Sequence, residues 1–431
     1  MNIPAPRINT ANRSQLIFDV IDYETLIPQD HKARIICRFV ENLDLKIFYD
    51  EIKSRDGLAG RSAFDPKVLL SLWLYATIEG IGSARLLEKL CERDCAYRWI
   101  CGGLTINHHT LSDFRSENGD KLDILLTDII TSLVASNAVK LDTIIIDGTK
   151  IQANAGRSSF KSREKLAALS NSVAERVTKL RDELKQNPNA DNDRVELRKQ
   201  QELLKMEAKL NKALEELPKI EAVKEARKKK QKKDAKISEA RTSITDPEAR
   251  IMRFQKKTIA PAYNCQIAVE PETFVVVSVQ VTNQGNDKNL LKPMVENIES
   301  RYDTRPTEVL VDSAYRDHAT IKEFAEHDRP TKVFSPLPEK KENILPKSLA
   351  KRERKEAAYP EAVKEFYSRM ETEAAKENYK RRGRIETVNG IVHNRMLAGF
   401  QLRGMNKVKS EILMQCIGHN IMQKHRMDAV A

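Results

Sequence analysis

The sequence predicts an α+β protein: an all-helical N-terminal domain, then a mixed α/β sheet covered by helices and interrupted by a helical hairpin. Three observations carry that prediction. Residues 1–140 carry apolar positions at helical spacing, punctuated by Gly, Ser and Asn. Two short, mostly β-branched runs, Thr143–Ile146 and Val309–Val311, read as buried strands, each followed at once by an aspartate. Between them, from about Arg157 to Arg241, apolar residues recur every three or four positions in two blocks.

In the helical region, Pro66 opens a helix through Val68, Leu69, Leu72, Trp73 and Tyr75, which Gly80 and Gly82 end. Ser83 caps a second helix, Ala84–Arg93, with Leu86, Leu87, Leu90 and Cys91 on one face. Gly102-Gly103 breaks the chain again. Thr110 or Ser112 then starts one long helix through Leu111, Phe114, Leu122, Leu125, Ile129 and Leu133. Trp73 and Trp99 read as core. Short helices with glycine turns suit a helix-turn-helix-like DNA reader and a generic docking domain equally well.

The hairpin places Leu166, Leu169, Val173, Val177, Leu180 and Leu184 on one arm and Leu203, Met206, Leu210, Ala213 and Leu217 on the other. The segment Asn187–Asn192 is the turn, and Pro218 should end or kink the second arm. The basic run Lys224–Lys236 is a solvated segment or a phosphate-contacting arm. Strands resume at Ala262–Val269 and Thr273–Thr282, turning at Glu270-Pro271-Glu272. Asn286 or Asp287 caps a helix through Ile298; the strand to Asp312, a helix from Asp317 to Glu326 and a strand at Lys332–Ser335 follow. Residues Pro336–Met370 read as a loop and a solvated helix, and Lys407–Lys424 as a closing amphipathic helix.

A chain of 431 residues allows two or three domains. Its net charge of +12 favours a polyanionic partner. No apolar run spans a bilayer and the first residues lack a signal-peptide pattern, so a cytoplasmic, nucleoid-associated location is expected. Cys91, Cys95 and Cys101 with His108 and His109 lack paired Cys-x-x-Cys spacing, so buried cysteines are the favoured reading over zinc.

The chemistry rests on three acids. Asp147 and Asp312 end apolar strands, and Glu386 lies in the basic helical segment Tyr379–Glu386. Mg²⁺ takes oxygen ligands, and two such ions shared by carboxylates can drive an in-line displacement at phosphorus. Asp142, Asp287, Asp303 and Asp317 read as turn or cap residues. On a helix starting near Tyr379, the positions Arg382, Glu386, Asn389 and His393 form one polar stripe beside the apolar stripe Ile385, Val388 and Val392.

The sequence resembles the bacterial insertion-sequence DDE transposases of the RNase H-like superfamily, in the branch with an InsH-type helical N-terminal domain. The resemblance rests on Gly60–Pro66, His109–Arg115, Asp147-Gly148-Thr149-Lys150, Tyr263-Asn264-Cys265-Gln266 and Asp312-Ser313-Ala314-Tyr315. It includes the Tyr-x2-Arg-x3-Glu-x6-Lys signature at Tyr379, Arg382 and Glu386, and Leu402-Arg403-Gly404 with Asn420. It covers nearly the whole chain outside 157–241 and implies an RNase H-like mixed five-stranded sheet at 141–156 and 242–431, interrupted by the helical coiled-coil hairpin read above at 157–241.

The resemblance also implies Asp147, Asp312 and Glu386 as catalytic ligands of two Mg²⁺, with Mn²⁺ able to substitute. Tyr379, Arg382, His393, Lys150 and Arg384 are then the expected DNA contacts. The partners are double-stranded DNA, as terminal repeats and target, and further copies of the chain. A nuclease without joining activity and an inert DNA-binding protein are the alternatives. One departure stands out: His393 occupies the signature lysine position.

Overall fold

The computed structural model describes residues 22–54, 62–186, 194–230, 239–254, 258–338, 354 and 356–430. The chain opens with helices α1 (Lys32–Glu41), α2 (Lys46–Tyr49), α3 (Pro66–Ile78), α4 (Ala84–Arg93), α5 (Cys95–Cys101), α6 (His108–Glu117) and α7 (Gly119–Ala135). Pro66 opens α3 and Ser83 caps α4 as expected, Ser83 accepting from the Leu86 amide; Asp65, a cap not singled out in the sequence, accepts from the Lys67 amide. Trp73 is fully buried and donates Nε1–H to the Leu111 carbonyl at 2.8 Å. Leu86 is exposed, so the buried face of α4 is narrower than expected.

The single long helix expected from Thr110 divides at Asn118 into α6 and α7. Gly119, which opens α7, meets a segment far along the chain. A Cβ on Gly119 would stand 2.7 Å from Ser410 Oγ and 3.3 Å from the Asn406 carbonyl, on a helix that packs against this point. Asn118 Nδ2 closes α6 by donating to the Phe114 carbonyl at 2.7 Å.

Strand β1 (Thr143–Gln152) begins the sheet; β2 (Phe160–Lys161), α8 (Arg163–Gln186), α9 (Arg194–Lys230) and β3 (Thr242–Ser243) follow. Then come β4 (Arg250–Arg253), β5 (Ile259–Val269), β6 (Val276–Thr282), α10 (Leu291–Tyr302), β7 (Glu308–Val311), α11 (His318–Ala325) and β8 (Lys332–Phe334). The chain ends with α12 (Glu361–Glu371), α13 (Glu373–Lys380), α14 (Arg384–Arg395) and α15 (Met405–Val430). The main sheet runs β4-β5-β1-β7-β8, with β6 also on β5. β5 is antiparallel to β1 and β6; β7 is parallel to β1, and β8 to β7. This mixed sheet with helices is compatible with an RNase H-like α+β fold. Among the described residues it has six strands where five were expected, because β4, with only Met252 turned inward, carries too weak an alternation to read as a strand.

The hairpin α8–α9 has a small apolar core of its own, formed by Leu166, Val173, Val177, Leu210, Ala213 and Leu217. α9 runs through Pro218 instead of ending there. A proline in a helix interior costs about 3 kcal/mol. Contacts flank it on both sides: buried Leu217, the Arg250–Glu216 pair at 2.6 Å and the more exposed Arg163–Glu221 pair. The expected turn at 187–192 and the lysines at 232, 233 and 236 lie outside the described residues.

Two C-terminal helices are more buried than their sequences suggest. α12 sinks Val363, Phe366 and Met370 against α11 and β8. The middle of α15, residues 410–421, is enclosed on all sides, and the helix buries Glu411, Gln415, His419, Asn420 and Gln423 as well as Ile412, Leu413, Cys416, Ile417 and Ile421. It lies between α1, α3, α6 and α7 on one side and β6 on the other, so helical region and sheet share one core. Its buried amides are satisfied: Asn420 accepts from the Val276 amide and donates to the Val276 carbonyl, both at 2.8 Å.

Candidate active site

β1 does not stop at Asp147; its neighbour does. The last parallel pair is Ile146 with Val311, so Asp147 sits where β7 ends and Asp312 leaves the sheet in the adjacent register. Asp312 then caps a 3₁₀ turn, Ser313–Tyr315, its Oδ1 accepting from the Ser313 amide at 2.5 Å. α14 crosses β1 and docks through buried Ile385, Val388 and Val392. Between α13 and α14 the turn Arg381–Gly383 is 3₁₀, so the helix expected from Tyr379 is two helices with a tightened joint.

The polar stripe of this segment meets β1 residue by residue. Arg382 places its guanidinium 3.2 Å from Asp147 Oδ1 and 3.2 Å from Glu386 Oε1. Asn389 Nδ2 donates to Asp147 Oδ2 at 3.1 Å, and His393 Nε2 stands 2.7 Å from Thr149 Oγ1. Tyr379 donates its hydroxyl to the Val311 carbonyl, one residue before Asp312, at 3.3 Å. Glu386 itself remains largely exposed, at 69%.

Burial pushes the Asp147 carboxyl up to about 6; Arg382 and the Gly148 amide oppose the shift, and Asp287 and Asp312 add to it. Burial also lowers the His393 imidazole, which is therefore neutral at pH 7, and raises the Tyr379 phenol.

Two family models match the chain. A Transposase domain covers residues 21–117, and a Transposase DDE domain covers residues 234–421. The chain belongs to the insertion-sequence DDE transposases. No curated protein and no solved structure matches it.

Two of the expected contacts of the transposase lie away from the acids. Lys150 donates to the Arg253 carbonyl at 3.1 Å. Arg384 is held by Glu272, and also donates to the Pro271 carbonyl at 2.9 Å. Arg381 shares Glu272, at 2.8 Å, so the basic segment is tied to the β5–β6 turn. Far from this site, Cys91 and Cys101 are buried and Cys95 is exposed. His108 stands 2.8 Å from Glu88.

The turn reading of Asp287 is incomplete. α10 starts at Leu291 without a side-chain cap. Asp287 Oδ1 instead accepts from Asn264 Nδ2 at 2.8 Å and Gln266 Nε2 at 2.9 Å. A Cβ on Gly148 would stand 2.2 Å from that same oxygen. The sequence held one clue: two amides, Asn264 and Gln266, two residues apart on an otherwise apolar strand must find a partner once buried.

The DDE family uses divalent metals, and the donors here are all carboxylate oxygens, which suits a hard cation. Among the described residues no three His, Cys, Asp or Glu side chains already stand close enough to hold one. Arg382 bridges Asp147 and Glu386, supplying the positive charge that a bound ion would supply. Among the described residues its Nε and Asn389 Oδ1 are buried without a hydrogen-bond partner, so two polar atoms near the bridge are left to satisfy.

Proposed function

We propose that this transposase, on an RNase H-like catalytic fold, binds the double-stranded DNA ends of its element, cuts them with Mg²⁺ and joins them to target DNA. The observation that carries the reading is the adjacent register of Asp147 and Asp312 on a parallel strand pair, crossed by the helix bearing Glu386. These three carboxylates would hold two Mg²⁺, or Mn²⁺ in their place. Divalent ions held there supply an activated attacking oxygen and charge for the leaving oxygen.

The remaining roles belong to the chain's own side chains. Arg382 exchanges Asp147 for a DNA phosphate, which its planar fork can grip bidentately. Asn389 keeps the Asp147 carboxylate turned toward α14, and Tyr379 fixes the strand end from which Asp312 projects. His393 contacts DNA as a neutral group while bonded to Thr149, where the family signature has a cation. Lys150 and Arg384 reach the backbone of bound DNA only by exchanging their present partners. The helical region α1–α7 binds the terminal repeats, and the α8–α9 hairpin clamps DNA or contacts a second protomer in a homo-oligomer.

Incubation of pre-cut element ends with target plasmid and Mg²⁺ tests the reading. Joined products are expected from the unmodified protein and none from Asp312→Ala. Cutting without joining would reduce the protein to a nuclease, and equal inactivity of both proteins on bound DNA would leave an inert binder.

A further inference from the structure

We propose that Asp287 is a positioning residue for the two aspartates of the site, acting from the opposite face of the sheet. The proposal deepens the functional reading above and rests on it. Gly148, next to Asp147, pairs with Gln266 across β1–β5, and both face Asp287. Gln266 Nε2 donates to Asp287 Oδ1 at 2.9 Å, while its Oε1 accepts from the Tyr315 hydroxyl. Tyr315 closes the turn that Asp312 opens, its amide donating to the Asp312 carbonyl at 3.1 Å. One continuous path therefore runs from the neighbour of Asp147, through Asp287, Gln266 and Tyr315, to the backbone of Asp312.

Between its ends the path is buried except at Asp287, which is half-buried. Gln266 and Tyr315 are 1% exposed and Asn264 is fully buried, so the amides and the hydroxyl have no water to exchange for their partners. Asp287 also takes Asn264 Nδ2, which makes its Oδ1 a shared acceptor for two donors on neighbouring positions of one face of β5. No side chain intervenes between that oxygen and the Gly148 backbone: a Cβ there would meet Asp287 Oδ1 at 2.2 Å and Gln266 Nε2 at 2.6 Å. The carboxylate thus acts as a spacer, fixing how far the Asp147 strand stands from the Asp312 turn. Residues that orient metal ligands from behind typically govern metal affinity by about 10- to 100-fold.

The test compares Asp287→Asn and Asp287→Ala with the unmodified protein in its complex with element-end DNA, measuring Mn²⁺ binding by electron paramagnetic resonance. Asparagine keeps an acceptor oxygen in the same place, so Mn²⁺ affinity should stay within about threefold. Alanine removes the spacer and should weaken Mn²⁺ by about tenfold or more, with metal-free DNA binding unchanged. Tyr315→Phe, which deletes only the hydroxyl at the far end of the path, should weaken Mn²⁺ in the same direction and serves if the alanine variant fails to fold. An asparagine variant as weak as alanine would overturn the proposal, because the charge itself would then be acting. Unchanged affinity in the folded alanine or phenylalanine variants would overturn it as well. Asp147→Ala, measured alongside, separates the underlying reading: if it binds Mn²⁺ normally, the metal site is wrong, whatever Asp287 does.

Discussion

Asp147→Asn should make the metal-free protein more stable at alkaline pH while removing the activity proposed for it. The carboxyl is buried, with its pKa raised from 3.8 to about 6. The folded state therefore holds the proton more tightly than the unfolded chain. Stability from this group is full below about pH 3.8, falls as pH rises toward 6, and stays low above that. At about 1.4 kcal/mol per pH unit, the interval between the two values amounts to roughly 3 kcal/mol. Its side chain is 17% exposed, so solvent screening discounts this figure little. Asparagine cannot ionise and should lose that pH dependence. The opposing pull of Arg382 is already contained in the net shift, so losing that ion pair adds no further pH dependence. The quantity to compare is therefore the variant-minus-wild-type unfolding free energy in urea with EDTA, at pH 4 and pH 8. It should rise by about 2–3 kcal/mol over that range. A difference flat within about 0.5 kcal/mol, or one that falls with pH, would refute the assignment of burial as the dominant influence on this carboxyl.

Three further outcomes follow from the same contacts. Arg382→Gln removes the guanidinium between Asp147 and Glu386, so the DNA-free protein should bind Mn²⁺ about tenfold more tightly by electron paramagnetic resonance; unchanged or weaker binding would contradict the bridge. His393→Lys breaks the 2.7 Å contact with buried Thr149, costing about 1–2 kcal/mol in urea, and should steepen the salt dependence of DNA binding by about one unit in the log–log slope. An unchanged slope would place that side chain away from phosphate. Gly119→Ala forces a Cβ to 2.7 Å from Ser410 Oγ, and a loss of about 1–3 kcal/mol is expected in the same unfolding assay; a neutral result would mean that α15 can retreat freely.

What could be read from the sequence was local. Pro66 at the start of α3, the cap at Ser83, the apolar strands before Asp147 and Asp312, and the spacing along α8 and α9 each announce themselves within a few residues. What could not be read depends on distant partners. At Gly119, where the expected single helix divides, Ser410 lies too close to admit a side chain, and α9 runs through Pro218 with Glu216 and Glu221 paired to Arg250 and Arg163 on either side. α15 reads as amphipathic, yet its polar residues are buried because helices cover one side and β6 the other.

The site divides in the same way. The three acids proposed for it, and the polar stripe that runs into α14, were legible as residue types at spacings. Their register was not, since it is β7, not β1, that ends beside Asp147. Nor could the spacing show that Arg382 leans back onto Asp147, or that Arg384 is taken by Glu272. Asp287 looked like any turn aspartate because its two donors come from another strand.

The most direct measurement is Mg²⁺-dependent cleavage of element-end DNA by Asp147→Ala, Asp312→Ala, Glu386→Gln and the triple variant, each shown first to bind that DNA. If the three carboxylates serve one site, every single variant should fall to the level of the triple, because groups acting as a unit are lost together. A single variant that keeps cleavage within about tenfold of the unmodified protein would contradict the shared site.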